Sequence, residues 1–292
     1  MAIQADGLGL SSSALPLLRD LINERLGLYY DVPRLESLAD RLSPLVVERG
    51  FDSFLDYYYL LKYDQTAAAE WRRVMDALSV PETYFWREID QIQAIATHVV
   101  PALLARSPSQ PLRIWCVPCA TGEEPLTIAM VLAEAGLFER GAIEIHAADA
   151  SAAAIERARG RRYRERSFRS LPVHLREKYF SRDGDTWTVD PGLHRRITSW
   201  SVVNLLDESE VALHAHVPIV FCRNVFIYFS APAISRVVAQ LERSMTPPAY
   251  LCLGASESLM RLRTGFDLEE IAGAFVYVRR ATGAREGDGC LR

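Results

Sequence analysis

Two cysteines and two glutamates lie close together in residues 113–125, RIWCVPCATGEEP. The spacing of Cys116 and Cys119 is that of a redox-active dithiol, in which the pair begins a helix and one thiol has a lowered pKa. Here Cys116 falls inside a predicted apolar strand, and the turn at Gly122 delays the helix until after the pair. A zinc site would need a second close pair of ligands, which the sequence does not provide. We therefore predict that both cysteines are core residues.

The residues after the second cysteine indicate a different kind of ligand. A predicted strand (112–117), a turn containing Gly122 and a helix opened by Glu123, Glu124 and Pro125 form a strand–turn–helix unit of the nucleotide-binding kind. Gly122 would let the backbone approach a ligand without a Cβ. The two carboxylates disfavour a phosphate ligand and favour positive charge or hydroxyl and amine donors. S-adenosylmethionine fits this requirement, whereas a dinucleotide does not, and G-x-G-x-x-G is absent.

Polar side chains also follow two other predicted strands. Asp149 ends the second strand, 143–148, at the position where α/β folds bind ribose hydroxyls. Arg223, Asn224 and Tyr228 are set into the apolar run 221–229, which begins at the carboxyl end of a later strand. The carboxyl ends of strands are where α/β sheets bind ligands. An aromatic core strand with a salt-bridged arginine is the alternative interpretation of this run.

The elements that must position these residues are of two kinds. Leucines recur at three- and four-residue spacing over residues 14–78, which predicts helices without strands. We assign residues 1–80 to an N-terminal all-helical domain. Residues 81–280 alternate short apolar strands with helices, the pattern of a parallel α/β sheet. The sequence therefore predicts an α/β protein with a helical domain before the sheet.

Three shorter segments carry further expectations. Short strands around the turn Asp183-Gly184 predict a small antiparallel β-subdomain inserted at 181–200. The Gly-rich, charged residues 281–292 are expected to form a flexible tail. Ser79 and Glu82 have the spacing of a capping box, and a helix after them would place Thr83 and Arg87 on one face.

Composition bounds the class of protein. The chain has 292 residues and a net charge of −4, unlike the strongly basic chains that bind nucleic acid. It has no apolar run near the ~20 residues that span a bilayer, and its N-terminus lacks the order of a secretory signal. An odd cysteine count fits a reducing compartment. We expect a cytoplasmic protein with no nucleic-acid partner, no membrane insertion and no metal site, with His214 and His216 in a loop.

Several separated motifs together resemble one family. They are PETYFWRE (81–88), CATGEEP (119–125), AAD (147–149), NLL (204–206), CRNVFIYF (222–229) and LGASESL (253–259). In this order they resemble the CheR family of chemoreceptor methyltransferases, over residues 14–280. The resemblance implies a Rossmann-like sheet and transfer of a methyl group from S-adenosylmethionine to receptor glutamates, with S-adenosylhomocysteine as the second product. It also implies the receptor's cytoplasmic helices as a partner. In some members of the family the β-subdomain binds a receptor C-terminal peptide as well, and the residues here leave that contact open.

The resemblance implies roles for individual residues as well. Together with Gly122, the expected cofactor-binding residues are Thr83, Arg87, Glu124, Asp149, Asn204, Leu205, Arg223 and Asn224. We expect Arg87 and Tyr228 to orient the substrate carboxylate, neither taking a proton. The family usually has Asn where this chain has Pro81, so that side-chain contact is lost or rerouted here. A non-catalytic scaffold that senses the cofactor, or a methyltransferase with another substrate, are the alternatives.

A basic run remains outside these motifs. Residues 157–169 contain seven arginines, RARGRRYRERSFR. A solvated surface is one interpretation of this run. Docking against acidic receptor helices is the other, since clustered positive charge steers encounters with acidic surfaces.

Overall fold

Residues 12–80 are largely helical. The structure, a computed structural model, describes residues 12–80 and 82–281. After a short 3-10 turn at Ser12–Ala14, the helices are α1 (Leu15–Leu26), α2 (Leu35–Glu48), α3 (Phe54–Tyr63) and α4 (Ala67–Leu78). Each helix buries one apolar stripe in a shared core whose central residues include Leu18, Ile22, Leu38 and Leu42. The predicted helical character of this region is confirmed.

Helices and strands alternate in the rest of the described chain. The helices are α5 (Ile89–Ala94), α6 (Val100–Arg106), α7 (Glu123–Glu134), α8 (Ala152–Arg159), α9 (Val173–Tyr179), α10 (Pro191–His194), α11 (Glu208–His214) and α12 (Ala231–Ser244). A π-helical turn, Ile95–Val99, joins α5 to α6. The strands are β1 (Leu112–Cys116), β2 (Ile143–Asp149), β3 (Arg162–Arg164), β4 (Phe180–Asp183), β5 (Thr186–Val189), β6 (Ile197–Val202), β7 (Ile219–Phe221), β8 (Ala249–Cys252), β9 (Asp267–Ile271) and β10 (Ala274–Arg279).

Seven strands form the main sheet, in the order β6-β2-β1-β7-β8-β10-β9. The first five run parallel. Both faces of the sheet are covered, as strand β1 illustrates. Ile114 and Cys116 pack on one face, in the core that contains α5, α6 and α7. Trp115 packs on the other face, in the core with α11 and α12. Strands buried on both faces read as continuous apolar runs, which made the central strands predictable.

The antiparallel end of the main sheet was not predicted. Strand β10 pairs antiparallel with β8, and β9 pairs antiparallel with β10. This hairpin makes the sheet mixed and not wholly parallel. β9, DLEEI, is an edge strand with no fully buried residue, so it lacks the apolar run that marks the central strands.

The predicted boundaries of the β-subdomain are wrong. The small antiparallel sheet has the order β3-β5-β4 and therefore begins near Arg162. The expected strand at 196–200 is instead part of β6, which runs parallel to β2 at the edge of the main sheet. β6 is only half-buried, and its mixed polar pattern resembles that of a two-stranded ribbon.

The helical region packs directly on the sheet. The Tyr29 N–H donates to the Tyr228 carbonyl at 2.8 Å, and the Ser230 N–H donates to the Gly27 carbonyl at 3.1 Å. Gly27 has φ +77°, and a Cβ there would lie 2.8 Å from Leu206 Cδ2. Glycine at this position satisfies both the backbone conformation and the close contact.

No helix within residues 12–80 and 82–281 is long and apolar enough to cross a bilayer. The expected flexible tail lies outside the described residues apart from Ala281.

Candidate functional site

A cavity of about 250 Å³ lies at the carboxyl edge of the parallel strands, between the sheet and the helical region. The register aligns the ends of β2, β1, β7 and β8, because Cys116 pairs with both Ala147 and Phe221, and Phe221 pairs with Cys252. Nine of the predicted site residues line this one cavity: Thr83, Arg87, Glu124, Asp149, Asn204, Leu205, Arg223, Asn224 and Tyr228. Residues widely separated in sequence therefore meet at one site, as expected for strand ends in an α/β sheet.

Asp149 ties two cavity loops together. Its Oδ2 accepts a hydrogen bond from the Ala120 N–H at 2.8 Å, and its Oδ1 accepts one from the Ser151 N–H at 2.9 Å. The residue is 6% exposed. Burial raises the pKa of Asp149, against the two backbone N–H groups that favour its ionised form. Each oxygen keeps a further lone pair, so the carboxylate can still accept hydrogen bonds from ligand hydroxyls.

Arg223 occupies the centre of an ion-pair cluster. Its Nη1 donates to Glu124 Oε2 at 2.8 Å, and its Nη2 donates to Glu88 Oε2 at 3.1 Å. Nη2 also lies 3.0 Å from the Arg87 carbonyl. The Arg223 side chain has no solvent exposure, and that of Glu124 is 13% exposed. Burial raises the pKa of Glu124, and Arg223 opposes that shift. Arg223 is therefore salt-bridged, as the alternative interpretation expected, and it also lines the cavity.

Glu88 does not line the cavity itself but holds two residues that do, and the sequence analysis missed it. Its Oε2 accepts from the Ala255 N–H at 2.9 Å, and its Oε1 accepts from Asn224 Nδ2 at 3.2 Å. Burial would raise the pKa of Glu88, but the hydrogen bond from Ala255 and the charge of Arg223 outweigh it and hold the pKa below its usual range. The Glu88 carboxylate therefore holds both the Arg223 guanidinium and the Asn224 side-chain amide in position. Its place next to Arg87 in a site motif was the only available signal.

The sequence analysis also missed Glu257, whose contacts with Asn224 and Phe226 are likewise distant in sequence. It accepts from three backbone N–H groups: Asn224 at 2.8 Å, Phe226 at 2.7 Å and Gly254 at 2.7 Å. Asn224 has φ +60°, the left-handed conformation that asparagine adopts more readily than most other residues apart from glycine. Glu257 holds the backbone there through the Asn224 N–H. A Cβ at Gly254 would lie 2.4 Å from Asn224 Nδ2, so glycine leaves room for the amide.

The predicted capping box is wrong. Ser79 directly follows the last residue of α4, Leu78, and the next helix begins only at Ile89. Between them the chain turns, with Trp86 at φ 70°. Thr83 and Arg87 still reach the same cavity, brought there by this turn and not by a helix face. Pro81, whose contact was in question, lies outside the described residues.

Arg87 and Tyr228 line the cavity from opposite elements. Arg87 Nη1 donates to the Glu82 carbonyl at 3.0 Å, and its side chain is 22% exposed. Tyr228 ends a 3-10 turn after β7. Its carbonyl is held by Tyr29, which places the residue where the helical region meets the sheet.

Gly122 is the predicted site residue that the cavity does not include. It has φ +98°, and a Cβ there would lie 3.0 Å from Trp200 Cη2 and 3.0 Å from the Tyr163 hydroxyl. The glycine is therefore explained by protein packing and by its positive φ, and not by the approach of a ligand. Glu123 likewise faces away from the cavity: it accepts from Thr121 Oγ1 at 2.6 Å and from Ser167 Oγ at 2.9 Å.

Asn204 and Leu205 form part of the cavity wall in different ways. Leu205 is buried. The Asn204 side chain is committed to the protein, since its Nδ2 donates to the Arg25 carbonyl at 2.9 Å and its Oδ1 accepts from the Leu206 N–H at 3.0 Å. Asn204 therefore joins the helical region to the cavity.

The prediction that the cysteines are core residues is confirmed. Cys116, Cys119, Cys222 and Cys252 are buried free thiols. Burial raises the pKa of Cys116 and Cys119 well above the usual range. Such thiols are poor nucleophiles, because reactivity requires the thiolate. Cys116 Sγ donates to Glu124 Oε1 at 3.2 Å and thus supports the cavity wall.

Comparison with known proteins shows the family to which the chain belongs. The model of the CheR methyltransferase SAM-binding domain matches residues 81–274, and the model of the CheR all-alpha domain matches residues 13–79. The chain belongs to the CheR methyltransferase family. The sheet is thus the S-adenosylmethionine-binding, Rossmann-like sheet of a CheR methyltransferase, and the predicted cofactor and fold class are confirmed.

Curated relatives have the same character. Chemotaxis protein methyltransferase 2 of Vibrio cholerae is 30% identical over 264 residues, which cover 89% of this chain and 91% of that protein. The chemotaxis protein methyltransferase of Klebsiella aerogenes is 30% identical over 281 residues, 95% and 93% of the two chains. The probable biofilm formation methyltransferase WspC of Pseudomonas putida is 32% identical over 272 residues, 91% of this CheR chain but 61% of WspC.

The cavity suits the cofactor chemically. The Glu124 carboxylate and the Arg223 guanidinium lie next to each other in the cavity. This pairing matches the ammonium and carboxylate groups at the methionyl end of the cofactor. Arg223 Nε is buried and has no hydrogen-bond partner among the residues that the structure describes. Asp149 has free lone pairs that can accept hydrogen bonds from hydroxyl groups, and Val203 and Leu205 form apolar parts of the wall.

Replacing Glu88 by Gln tests whether it positions the site. An amide NH₂ would face either Asn224 Nδ2 or the Ala255 N–H, both donors, and the charge beside Arg223 would be lost. We expect S-adenosylmethionine affinity, measured by calorimetry, to fall roughly fivefold to thirtyfold, about 1–2 kcal/mol. Asp90→Asn is the matched control, since Asp90 is exposed and close in sequence. Equal affinity in the two variants would remove Glu88 from the positioning role.

Proposed function

We propose that this CheR protein transfers a methyl group from S-adenosylmethionine to glutamate side chains on the cytoplasmic helices of a chemoreceptor, in chemosensory adaptation. The names of the relatives from Vibrio cholerae and Klebsiella aerogenes support the pathway. The observation that carries the proposal is the convergence of Glu124, Asp149, Arg223 and Tyr228 on one cavity at the strand ends. We place the reaction in the cytoplasm, where receptor signalling helices lie.

The cofactor side of the proposal assigns three residues. S-adenosylmethionine would supply a methyl group activated by its positively charged sulfur. Asp149 accepts hydrogen bonds from the ribose hydroxyls, since it is the buried acceptor at the end of β2. Glu124 and Arg223 bind the ammonium and carboxylate groups of the methionyl end. Glu88 keeps Arg223 in place.

The substrate side needs orientation and not base catalysis. A glutamate side chain has an ordinary pKa near 4.3 and is ionised at neutral pH, so no residue must remove a proton. The site must hold one carboxylate oxygen in line with the methyl group. We assign this to Arg87 and Tyr228, which line the cavity together. Opposite charges disappear as the ester forms, so excluding water from this end favours the reaction.

Replacing Tyr228 by Phe separates orientation from cofactor binding. Only the hydroxyl is lost, so we expect kcat to fall about tenfold to a hundredfold while cofactor affinity stays within about twofold. Kinetics with a receptor fragment and calorimetry with S-adenosylhomocysteine measure the two quantities. Tyr59→Phe, on the exposed outer side of α3, is the control. A parallel loss of affinity in Tyr228→Phe would contradict the assignment.

The function itself is tested with labelled methyl groups. The protein is incubated with radiolabelled S-adenosylmethionine and cytoplasmic fragments of receptors encoded nearby in the genome. We expect label on the fragment that alkali releases as methanol, because esters hydrolyse and methylamines do not. Label that resists alkali would indicate a different acceptor. Cofactor binding with no transfer to any fragment would instead favour a cofactor-sensing scaffold.

A second contact with the receptor is part of the proposal. The small sheet leaves β3 and β4 at its edges, and an exposed strand edge can take up an extended peptide as a further strand. We propose the receptor's C-terminal peptide as that strand.

A further inference from the structure

A second cavity, of about 380 Å³, lies outside the methyltransferase pocket. Its wall is formed by Thr121, Glu123, Arg157, Arg162, Tyr163, Arg164, Arg166 and Ser167. The loop between β1 and α7 separates the two cavities, since Cys119 and Ala120 line the pocket and Thr121 lines the second cavity. Four of its eight wall residues are arginines, in a protein whose net charge is −4.

Most of these arginines are not neutralised by the protein. Arg162 Nη2 lies 3.3 Å from Asp183 Oδ2. Arg157, Arg164 and Arg166 have no hydrogen bond or ion pair through their side chains to any residue in the described ranges, and all three are exposed. Exposed arginine forks without partners are free to bind carboxylates in pairs of hydrogen bonds.

The glutamates near this surface bind groups other than its unpaired arginines. Glu123 is 2% exposed, and its oxygens accept from Thr121 and Ser167. Glu165 accepts from Arg176 Nη1 at 2.7 Å and from Trp187 Nε1 at 3.1 Å. They therefore leave the positive charge of the surface exposed to an incoming partner.

The basic surface is connected to the wall of the methyltransferase pocket. Arg169 follows on the same segment; its Nη2 donates to Glu82 Oε1 at 2.6 Å, and its guanidinium lies 3.8 Å from the centre of the Tyr84 ring. Glu82 and Tyr84 line the pocket. A partner held on the arginines would thus lie next to the pocket without entering it.

We propose that the surface formed by Arg157, Arg162, Arg164 and Arg166 is a docking site for an acidic segment of the protein substrate, separate from the glutamate that is methylated. This rests on the proposed function. The arginines come from α8, β3 and the turn after β3, so their guanidinium groups are separate from one another. Each can bind a different carboxylate of an acidic segment. Because the protein as a whole is acidic, such a segment is repelled elsewhere and directed to this surface.

The test uses fluorescently labelled poly-L-glutamate as the probe, with the full chain, at low and at physiological salt. We expect salt-sensitive binding that falls at least tenfold in Arg157→Glu/Arg164→Glu. The control is Arg72→Glu/Arg140→Glu, which changes net charge equally at exposed arginines without partners in the described chain; it should lose less than threefold. Equal loss in both variants would overturn the proposal, as would displacement of the probe by equimolar pyrophosphate, which would indicate a small phosphate ligand.

Methyl transfer provides the second measurement. With a receptor fragment that the wild type methylates, Arg157→Glu/Arg164→Glu should raise KM at least tenfold and leave kcat and cofactor affinity unchanged. An unchanged KM would overturn the docking role. A wild type that methylates no fragment yet binds poly-L-glutamate in the expected way would count against the proposed function and not against the surface.

Discussion

Asp149→Ala is expected to weaken S-adenosylmethionine binding by roughly tenfold to 150-fold for each hydrogen bond lost to the carboxylate, about 1.5–3 kcal/mol. Asp149 is the buried acceptor in the wall at the end of β2, and it also holds the Ala120 and Ser151 N–H groups. The variant therefore loses both a ligand contact and the anchor of two loops. Calorimetry with the cofactor gives the affinity, and unchanged affinity would remove Asp149 from the binding site.

A neighbouring residue separates the two effects. Asp76 Oδ1 accepts from Ser151 Oγ at 2.6 Å and from the Ala153 N–H at 3.2 Å, so it holds the start of α8 from the helical region but does not line the cavity. Asp76→Ala should lower the free energy of unfolding by about 0.5–2 kcal/mol, as lost helix caps do, with cofactor affinity within about threefold. An equal loss of affinity in both variants would mean that loop anchoring is what Asp149 provides.

The pH dependence of binding follows from the same burial. Burial raises the pKa of Asp149, so the folded protein takes up a proton at a higher pH than the unfolded chain does. Between the pKa of Asp149 in the unfolded chain and its higher pKa in the folded protein, the free energy of unfolding rises as pH falls. Over the same range the Asp149 carboxylate, which would accept hydrogen bonds from the ribose, becomes protonated. We therefore expect cofactor affinity to decline on acidification at a pH above the usual range of an aspartate, while the fold is still intact.

Much of the site could be predicted because the rule that forms it is local. A polar residue directly after an apolar strand lies at the sheet edge, and parallel strands bring those edges together. Asp149 and Arg223 were found in this way. Cys116 and Cys252 were equally predictable, since an apolar strand buried on both faces leaves no position for a reactive thiol.

The residues that were missed are held by contacts distant in sequence. Glu88 and Glu257 act on Asn224, whose positive φ no local pattern reveals. The capping box failed for a similar reason: Glu82 pairs with Arg169 at 2.6 Å, and Arg41 Nη1 donates to the Leu78 carbonyl at the end of α4 at 3.1 Å. Distant arginines thus replaced the local contacts that the motif predicted.

Replacing Arg223 by Met is expected to be the most destabilising change at the site. It leaves Glu124 and Glu88 without their shared cation and removes the donor to the Arg87 and Glu88 carbonyls. Removing one partner from a buried ion pair costs about 3–5 kcal/mol, because a buried charge is left uncompensated. Urea unfolding should show a loss of this order, and cofactor binding should be abolished because the turn carrying Thr83 and Arg87 loses its support.

A second variant shows whether charge is the cause. Glu124→Gln removes the more buried of the two carboxylates, 13% exposed against 30% for Glu88. If the cost of Arg223→Met is the stranded charge, then Arg223→Met/Glu124→Gln should be more stable than Arg223→Met alone, although each single change destabilises the wild type. The double-mutant cycle would then give a coupling free energy of about 1–3 kcal/mol. Additive losses would show that Arg223 stabilises the site by packing and by its bonds to the carbonyls, and that the ion pair with Glu124 serves to shape the methionyl end of the pocket.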